Sequence, residues 1–195
     1  MSAVEYWRGN ERLVHITPPG REWPEGDWVS GLGRIIGGWF PGLPIVEMGC
    51  GYGRLAPFFI PDDYIGLDIN PSAVAEARRK QPHYKFSLDD GELPHGGVYL
   101  IWTVALHVPD DAIEGFLSRI IEAADAVVIG EMMGRDWRRG GNPPVFNRSP
   151  DDYANLMKRL GMPLKYHEQR EYRHYGKPID IMGFTGAECH SAERL

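Results

Sequence analysis

Ile45-Val46-Glu47-Met48-Gly49-Cys50-Gly51-Tyr52-Gly53-Arg54 is the stretch that decides the fold of this 195-residue chain. A mostly apolar run followed by three alternating glycines predicts a buried strand, a tight turn and the start of a helix. Glycine accepts a positive φ and lets a ligand approach the backbone closely, with amide N–H groups directed at it. The stretch therefore predicts a cofactor-binding turn, and a strand-to-helix turn without a ligand is the alternative.

The spacing of the glycines separates two kinds of nucleotide cofactor. A dinucleotide fingerprint requires glycine three residues after Gly51, where this chain has Arg54. Glu47, near the end of the strand, suits a cationic ligand group better than a pyrophosphate. An acidic residue followed by Gly-x-Gly-x-Gly resembles the first motif of the class I S-adenosylmethionine-dependent methyltransferases. The resemblance implies S-adenosylmethionine as the cofactor, bound by Glu47, Gly49, Gly51 and Gly53.

A second motif residue, Asp68, lies at the carboxyl end of the predicted strand 64–70. A carboxylate in this position accepts a hydrogen bond from each of two ribose hydroxyls. The resemblance implies that Asp68 holds the ribose, with Ile69 beside it in the cofactor site. The alternative is an aspartate that only helps to start the helix predicted from Asn70 and Pro71 onward.

A third motif follows the predicted strand 84–87. The run Leu88-Asp89-Asp90-Gly91-Glu92-Leu93-Pro94 is similar to a methyltransferase segment in which a carboxylate accepts a hydrogen bond from the adenine amino group. The spacing to the proline makes Asp89 the match and Asp90 the alternative, and the resemblance also implies Leu88 in the cofactor site. The competing interpretation is that both aspartates are solvated turn residues.

The segment after the fourth predicted strand, 98–103, supplies the first catalytic candidate. The resemblance implies Thr103 in the cofactor site, and residues 104–111 resemble the family's Leu-x-His-x-Pro-Asp stretch, except that Leu106 directly precedes His107. His107 is the candidate general base near the transferred methyl. A histidine that only caps or orients the following helix is the alternative.

Glu131, which ends the fifth predicted strand, 126–131, is the second catalytic candidate. In the family that the sequence resembles, the sulfonium of the cofactor carries the activation and the protein mainly orients the two reactants. A general base is needed only when the acceptor must lose a proton. Neither His107 nor Glu131 is therefore required by the chemistry alone.

Two segments rich in large amphipathic side chains interrupt the alternation of strands and helices. The sequence pattern predicts an irregular N-terminal flap over residues 1–26 and a lid-like loop over 132–148. Trp7 and Trp137 on these segments, and His174 at the predicted terminal turn, are candidates for substrate contacts. The alternatives are that the two tryptophans are anchored in the core and that His174 lies in a turn exposed to solvent.

The charge and cysteine content of the chain indicate which partners and which cellular compartment to expect. A net charge of −6 provides no general attraction for a phosphate backbone, so nucleic acid is not expected as the substrate. The two cysteines form no Cys-x-x-Cys pair, which predicts neither a disulfide framework nor a zinc site, and no metal is expected. Without a signal-like or membrane-length apolar run, the chain is expected in the cytoplasm.

The alternation of strands and helices predicts one α/β domain over residues 1–195. Its sheet is expected to be doubly wound, mostly parallel and seven-stranded, flanked by helices and closed by an antiparallel hairpin from strands 164–174 and 178–184. The expected activity is methyl transfer to a nitrogen or oxygen atom of a small molecule by a monomer or homodimer. The alternatives are a protein or nucleic-acid methyltransferase, a non-catalytic S-adenosylmethionine-binding module and, more distantly, a nicotinamide dehydrogenase.

Overall fold

The computed structural model describes residues 2–12, 28–134, 145–172 and 177–186. Its seven strands form a single mixed sheet. They are β1 Ile45–Met48, β2 Tyr64–Asp68, β3 Lys85–Leu88, β4 Val98–Trp102, β5 Ala126–Glu131, β6 Leu164–Tyr172 and β7 Lys177–Thr185. The order across the sheet is β3-β2-β1-β4-β5-β7-β6. Trp137 and His174 lie outside the described residues, as does the region 13–27.

The first five strands run parallel, and β7 runs antiparallel to both β5 and β6. Val46 of the central strand β1 pairs with Ile65 on one side and Tyr99 on the other. The predicted doubly wound sheet and its antiparallel hairpin are therefore confirmed. Because parallel strands all end at the same edge, the loops after β1 to β5 meet there.

Helices cover both faces of the sheet. Side chains of β4 alternate between the two layers, with Leu100 and Trp102 in one core and Tyr99 and Ile101 in the other. The helices are α1 Ala3–Arg8, α2 Leu32–Trp39, α3 Pro71–Lys80, α4 Ile113–Ile121 and α5 Pro150–Arg159. Helices α2 and α3 pack in the first core, and α4 and α5 pack in the second.

Two helix starts follow directly from the sequence. The Asn70 side chain accepts hydrogen bonds from the backbone N–H groups of Ser72 and Ala73, and Pro71 is the first residue of α3. The side chains of Ser149 and Asp152 form a reciprocal capping box at the start of α5. The predicted start of α3 is confirmed.

The N-terminal prediction is wrong where the structure describes it. Residues 3–8 are helical, not irregular, and Ser2 and Glu5 form a capping box that satisfies the first backbone N–H groups. This Ser-x-x-Glu pattern was present in the sequence, but the crowded aromatic residues after it obscured a helix of only six residues. The helix predicted to start after the glycine turn is instead a 3₁₀ turn from Ala56 to Phe58.

Candidate functional site

A cavity of about 670 Å³ lies at the carboxyl edge of the parallel strands. Its walls come from the glycine turn after β1, the ends of β2, β3 and β4, the start and middle of α4, and α1. Such a crevice outside the carboxyl ends of parallel strands is where doubly wound folds bind ligands. Residues of the predicted motif segments after β1, β2, β3 and β4 line this cavity.

The glycines of the turn have separate functions. Gly49 has a φ of +70° and leaves room for Val104, because a Cβ atom there would lie 2.5 Å from its Cγ2 atom. Gly51 lines the cavity, whereas Gly53 does not: a Cβ atom at Gly53 would meet the Phe86 ring at 2.4 Å. Gly53 is thus a packing residue that allows the turn to approach β3 closely.

Three backbone N–H groups of the turn are directed at β2, not at an open ligand position. Gly49 and Cys50 donate to the Leu67 carbonyl at 2.7 and 3.0 Å. Gly51 donates to Asp68 Oδ2 at 2.8 Å. The expectation that these amides point at the ligand is therefore corrected: they fix the position of the Asp68 carboxylate.

Asp68 lines the cavity at the end of β2. Besides the bond from Gly51, its Oδ1 atom accepts a hydrogen bond from the backbone N–H of Asn70 at 2.9 Å. Burial raises the pKa of Asp68, and the two backbone hydrogen bonds oppose this increase. Since each carboxylate oxygen has a second lone pair, the group remains able to accept two hydroxyl donors.

Glu47 also lines the cavity, although its side chain is only 4% exposed. The hydroxyl of Tyr64 donates a hydrogen bond to Glu47 Oε2. Burial raises the pKa of Glu47 to about 7, while the Tyr64 hydrogen bond and the charge of Arg54 oppose the increase. A cation bound in the cavity would favour the ionised form of this carboxyl.

Asp89 is held in a two-point ion pair that the sequence did not indicate. Arg119 of α4 donates to Asp89 Oδ1 at 2.8 Å and to Oδ2 at 2.7 Å, and both residues line the cavity. Burial acts to raise the pKa of Asp89, but the hydrogen bonds and charge of Arg119 outweigh it and the pKa is lowered. Asp90, the alternative, also lines the cavity and is exposed.

The other three residues that the resemblance implied for the cofactor site do not behave alike. Ile69 and Thr103 line the cavity. Leu88 does not, and it is 41% exposed because β3 is an edge strand. Thr103 has a φ of 55°, the only positive φ of a non-glycine residue among those described, and its N–H donates to the Gly130 carbonyl at 2.9 Å.

His107 lines the cavity in a 3₁₀ turn, Ala105–His107, that follows β4. Its ring lies 4.9 Å from that of Trp7 in α1, with the two planes tilted by 57°. The indole N–H of Trp7 is buried and has no hydrogen-bond partner among the described residues. The structure thus brings together one catalytic candidate and one substrate candidate.

Glu131 is placed differently from the other catalytic candidate. Its side chain is 1% exposed and does not line the cavity. Its oxygens accept hydrogen bonds from the Leu106 N–H at 2.9 Å and from the Tyr153 hydroxyl at 2.8 Å. Glu131 therefore lies behind the His107 turn, and this position does not support the expectation that it acts on a substrate.

Arg148, the last residue of the predicted lid-like loop, supports the same turn. Its guanidinium is buried and donates to the carbonyls of Ala105 at 3.1 Å and Val108 at 2.9 Å. It also pairs with Asp110 at 2.6 Å. Only a contact across some forty residues reveals this function, so no local pattern could have shown it.

Within residues 2–12, 28–134, 145–172 and 177–186, no three His, Cys, Asp or Glu residues are grouped so as to hold a metal ion. Nor does that part of the chain contain a helix with the length and apolarity needed to cross a membrane.

No protein-family model and no curated protein sequence matches the chain. Solved structures do. Magnesium protoporphyrin IX methyltransferase from Synechocystis, solved with S-adenosylhomocysteine, is 18% identical, with 82% of each chain covered and a TM-score of 0.65. An S-adenosylmethionine-dependent methyltransferase from Leishmania major is 15% identical, with 94% of this chain and 81% of that chain covered and a TM-score of 0.69.

A third similar structure contains both an acceptor and a cofactor product. It is 1,6-didemethyltoxoflavin-N1-methyltransferase from Burkholderia thailandensis, bound to 1,6-didemethyltoxoflavin and S-adenosylhomocysteine. Its identity is 16%, with 82% of this chain and 79% of that chain covered and a TM-score of 0.61. At these identities the likeness establishes the fold, which is the one shared by these S-adenosylmethionine-dependent methyltransferases.

Proposed function

We propose that this chain is an S-adenosylmethionine-dependent methyltransferase whose acceptor is a nitrogen or oxygen atom of a small molecule. One observation carries the proposal: Glu47, Asp68 and Asp89 line the same cavity from three neighbouring strands. In the order β3-β2-β1 they form a row with a spacing of about 4.8 Å between strands. A row of three carboxylates fits the adenine amino group, the ribose hydroxyls and the methionyl ammonium, in that order.

The same strand order supports a position for the methyl group beside the segment after β4. Beyond β1 the sheet continues with β4, and Thr103 and His107 follow β4 on the cavity wall. The methyl-bearing end of a cofactor held by the three carboxylates therefore faces this segment. When bound, the cofactor supplies an electrophilic methyl group, so the protein needs only to orient the acceptor and exclude water.

His107 and Trp7 are the residues that we assign to the acceptor. Their rings are in contact above the segment after β4, and the buried indole N–H of Trp7 lacks a partner among the described residues. This N–H offers a hydrogen bond to a polar atom of the acceptor. His107 accepts a proton when the acceptor must lose one, and otherwise serves as a contact surface.

The acceptor in this proposal is a small molecule. Its support is that two structures with the same fold are named for a porphyrin and for a toxoflavin precursor. The negative net charge is a further argument against a nucleic-acid substrate. We also infer a cytoplasmic location, because two cysteines without a paired motif suit a reducing compartment.

Calorimetric titration with S-adenosylmethionine and S-adenosylhomocysteine tests the proposal. Wild-type protein is expected to bind both ligands. Asp68→Ala is expected to weaken binding at least tenfold, which corresponds to about 1.4 kcal/mol, because the ribose hydroxyls lose their acceptor. Asp62→Asn, an exposed position in the turn before β2, serves as the control and should leave the affinity unchanged. Absence of binding to the wild type would refute the proposal.

A further inference from the structure

The side chain of Asn70 joins two helices that are far apart in the sequence. Its Oδ1 atom accepts from the N–H groups of Ser72 at 2.9 Å and Ala73 at 3.1 Å. Its Nδ2 atom donates to the carbonyls of Trp7 at 2.8 Å and Asn10 at 3.1 Å. The side chain is thus saturated with hydrogen bonds while Asn70 is only 2% exposed.

These contacts also fix which way the amide points. A flipped amide would turn its NH₂ group toward two backbone N–H donors of α3 and its oxygen toward two carbonyls. Only the assigned orientation satisfies all four partners. Asparagine is therefore specifically suited to this position, because serine or aspartate would cap α3 equally well but would lack the two N–H donors.

The backbone of Asn70 connects these helices to the site. Its N–H donates to Asp68 Oδ1 at 2.9 Å, so the same residue contacts the carboxylate assigned to the ribose. Asn70 thereby links the start of α3, the ribose carboxylate and the end of α1. Any movement of α1 away from the cavity must break the bonds from its amide group.

Helix α1 forms one wall of the cavity. Trp7 and Arg8 line the cavity, and Arg8 is close enough to Asp89 for its charge to help lower the pKa of that carboxyl. None of the residues of α1 is fully buried, and a six-residue helix is not stable alone in water. Its position therefore depends on contacts with the rest of the protein, and the two bonds from Asn70 are made by a buried donor.

We propose that Asn70 is a positioning residue that holds α1, and with it Trp7, against the cofactor cavity. The inference rests on the proposed function, because it assigns the space beneath α1 to S-adenosylmethionine. Loss of the two amide donors frees α1 while α3 and Asp68 keep their own hydrogen bonds. S-adenosylhomocysteine then dissociates faster, because one wall of its site opens.

Asn70→Ser and Asn70→Ala test this proposal in the full-length protein. Serine keeps the cap of α3 but cannot supply two donors to α1, whereas alanine removes both functions. For Asn70→Ser we expect the dissociation rate of S-adenosylhomocysteine to rise about fivefold or more, with a melting temperature within about 2 °C of the wild type. Asn70→Ala should show the same rate increase and a lower melting temperature.

Limited proteolysis gives a second measurement that needs no ligand. Trypsin should cut after Arg8 and Arg12 faster in Asn70→Ser than in the wild type, because the released helix unfolds locally. Unchanged cleavage and an unchanged dissociation rate in Asn70→Ser would overturn the positioning role. A wild type that fails to bind S-adenosylhomocysteine would contradict the proposed function, whereas the cleavage comparison would still decide whether Asn70 holds α1.

Discussion

The cavity-facing part of β1 and the sealed end of β5 carry the same chemical arrangement. Each has a buried glutamate, Glu47 on β1 and Glu131 on β5. Each carboxyl accepts a hydrogen bond from a tyrosine hydroxyl, that of Tyr64 for Glu47 and that of Tyr153 for Glu131. Burial raises both pKa values to about 7. By local environment alone, the two groups are nearly equivalent.

Their surroundings separate them. Glu47 borders the cavity together with Arg54, whereas Glu131 is closed off by the backbone of the His107 turn, from which Leu106 donates its N–H. A perturbed pKa therefore does not by itself identify a ligand-binding group. In this protein one such carboxyl faces the cofactor space and the other supports the turn that carries His107.

The largest expected effect concerns the raised pKa that Glu47 and Glu131 share. When the pKa of a carboxyl is higher in the folded protein than in the unfolded chain, the group contributes its full stabilisation below the unfolded pKa. This contribution is lost as the pH rises through the folded pKa. Stability should therefore fall between pH 4.5 and about 7. At pH 8, Glu47→Gln and Glu131→Gln should each relieve up to about 3 kcal/mol of this penalty, since one pKa unit is about 1.4 kcal/mol.

Urea unfolding followed across this pH range would measure the effect for each variant. The curve of unfolding free energy against pH should be flatter for both variants than for the wild type, by similar amounts. A flattening in only one variant would show that the two environments are not equivalent.

The second effect separates the two glutamates. Glu47→Gln should weaken S-adenosylhomocysteine binding about thirtyfold, or roughly 2 kcal/mol, because the ligand ammonium loses a charged partner. Glu131→Gln should leave the affinity within about twofold, because it lies behind the turn. Calorimetry on both variants would measure this, and equal losses in the two would contradict the assignment of Glu47 to the ligand.

The smallest effect concerns the tyrosine partners. Tyr64→Phe removes a hydrogen bond that lowers the pKa of Glu47, so a higher pH is needed to ionise the carboxyl. In the wild type, affinity for S-adenosylhomocysteine should fall as the pH drops below about 7. In Tyr64→Phe the same fall should begin at a higher pH, so that at pH 7 the variant binds about fivefold more weakly than the wild type. Tyr153→Phe is the matched control, and an equal shift there would argue against a specific effect.

The fold was predictable because burial sets the pattern of apolar residues. Parallel strands covered on both faces appear as continuous apolar runs, such as 98–102, and their carboxyl ends must share one edge. Glu47 and Asp68, near the carboxyl ends of two such strands, both line the cavity at that edge. The sequence also contained the signal for α1 in Ser2 and Glu5, although the prediction did not use it.

The remaining parts of the site depend on contacts between distant segments. Arg119 meets Asp89 across 30 residues, and Leu106 meets Glu131 across 25. No spacing rule within one motif covers such distances. Leu88 was misplaced for a related reason, since only the order of strands shows that β3 is at the edge, where its side chain reaches solvent.

The two outer strands of the sheet, β3 and β6, are poor templates for pairing with another chain. β3 has only four residues, and β6 places Lys165, Glu168 and Arg170 along the other margin, with Arg170 paired to Glu168. Short or charged margins hinder the addition of a strand from another chain. Addition of a further strand, the first step of growth into fibrils, is thus hindered at both ends of the sheet.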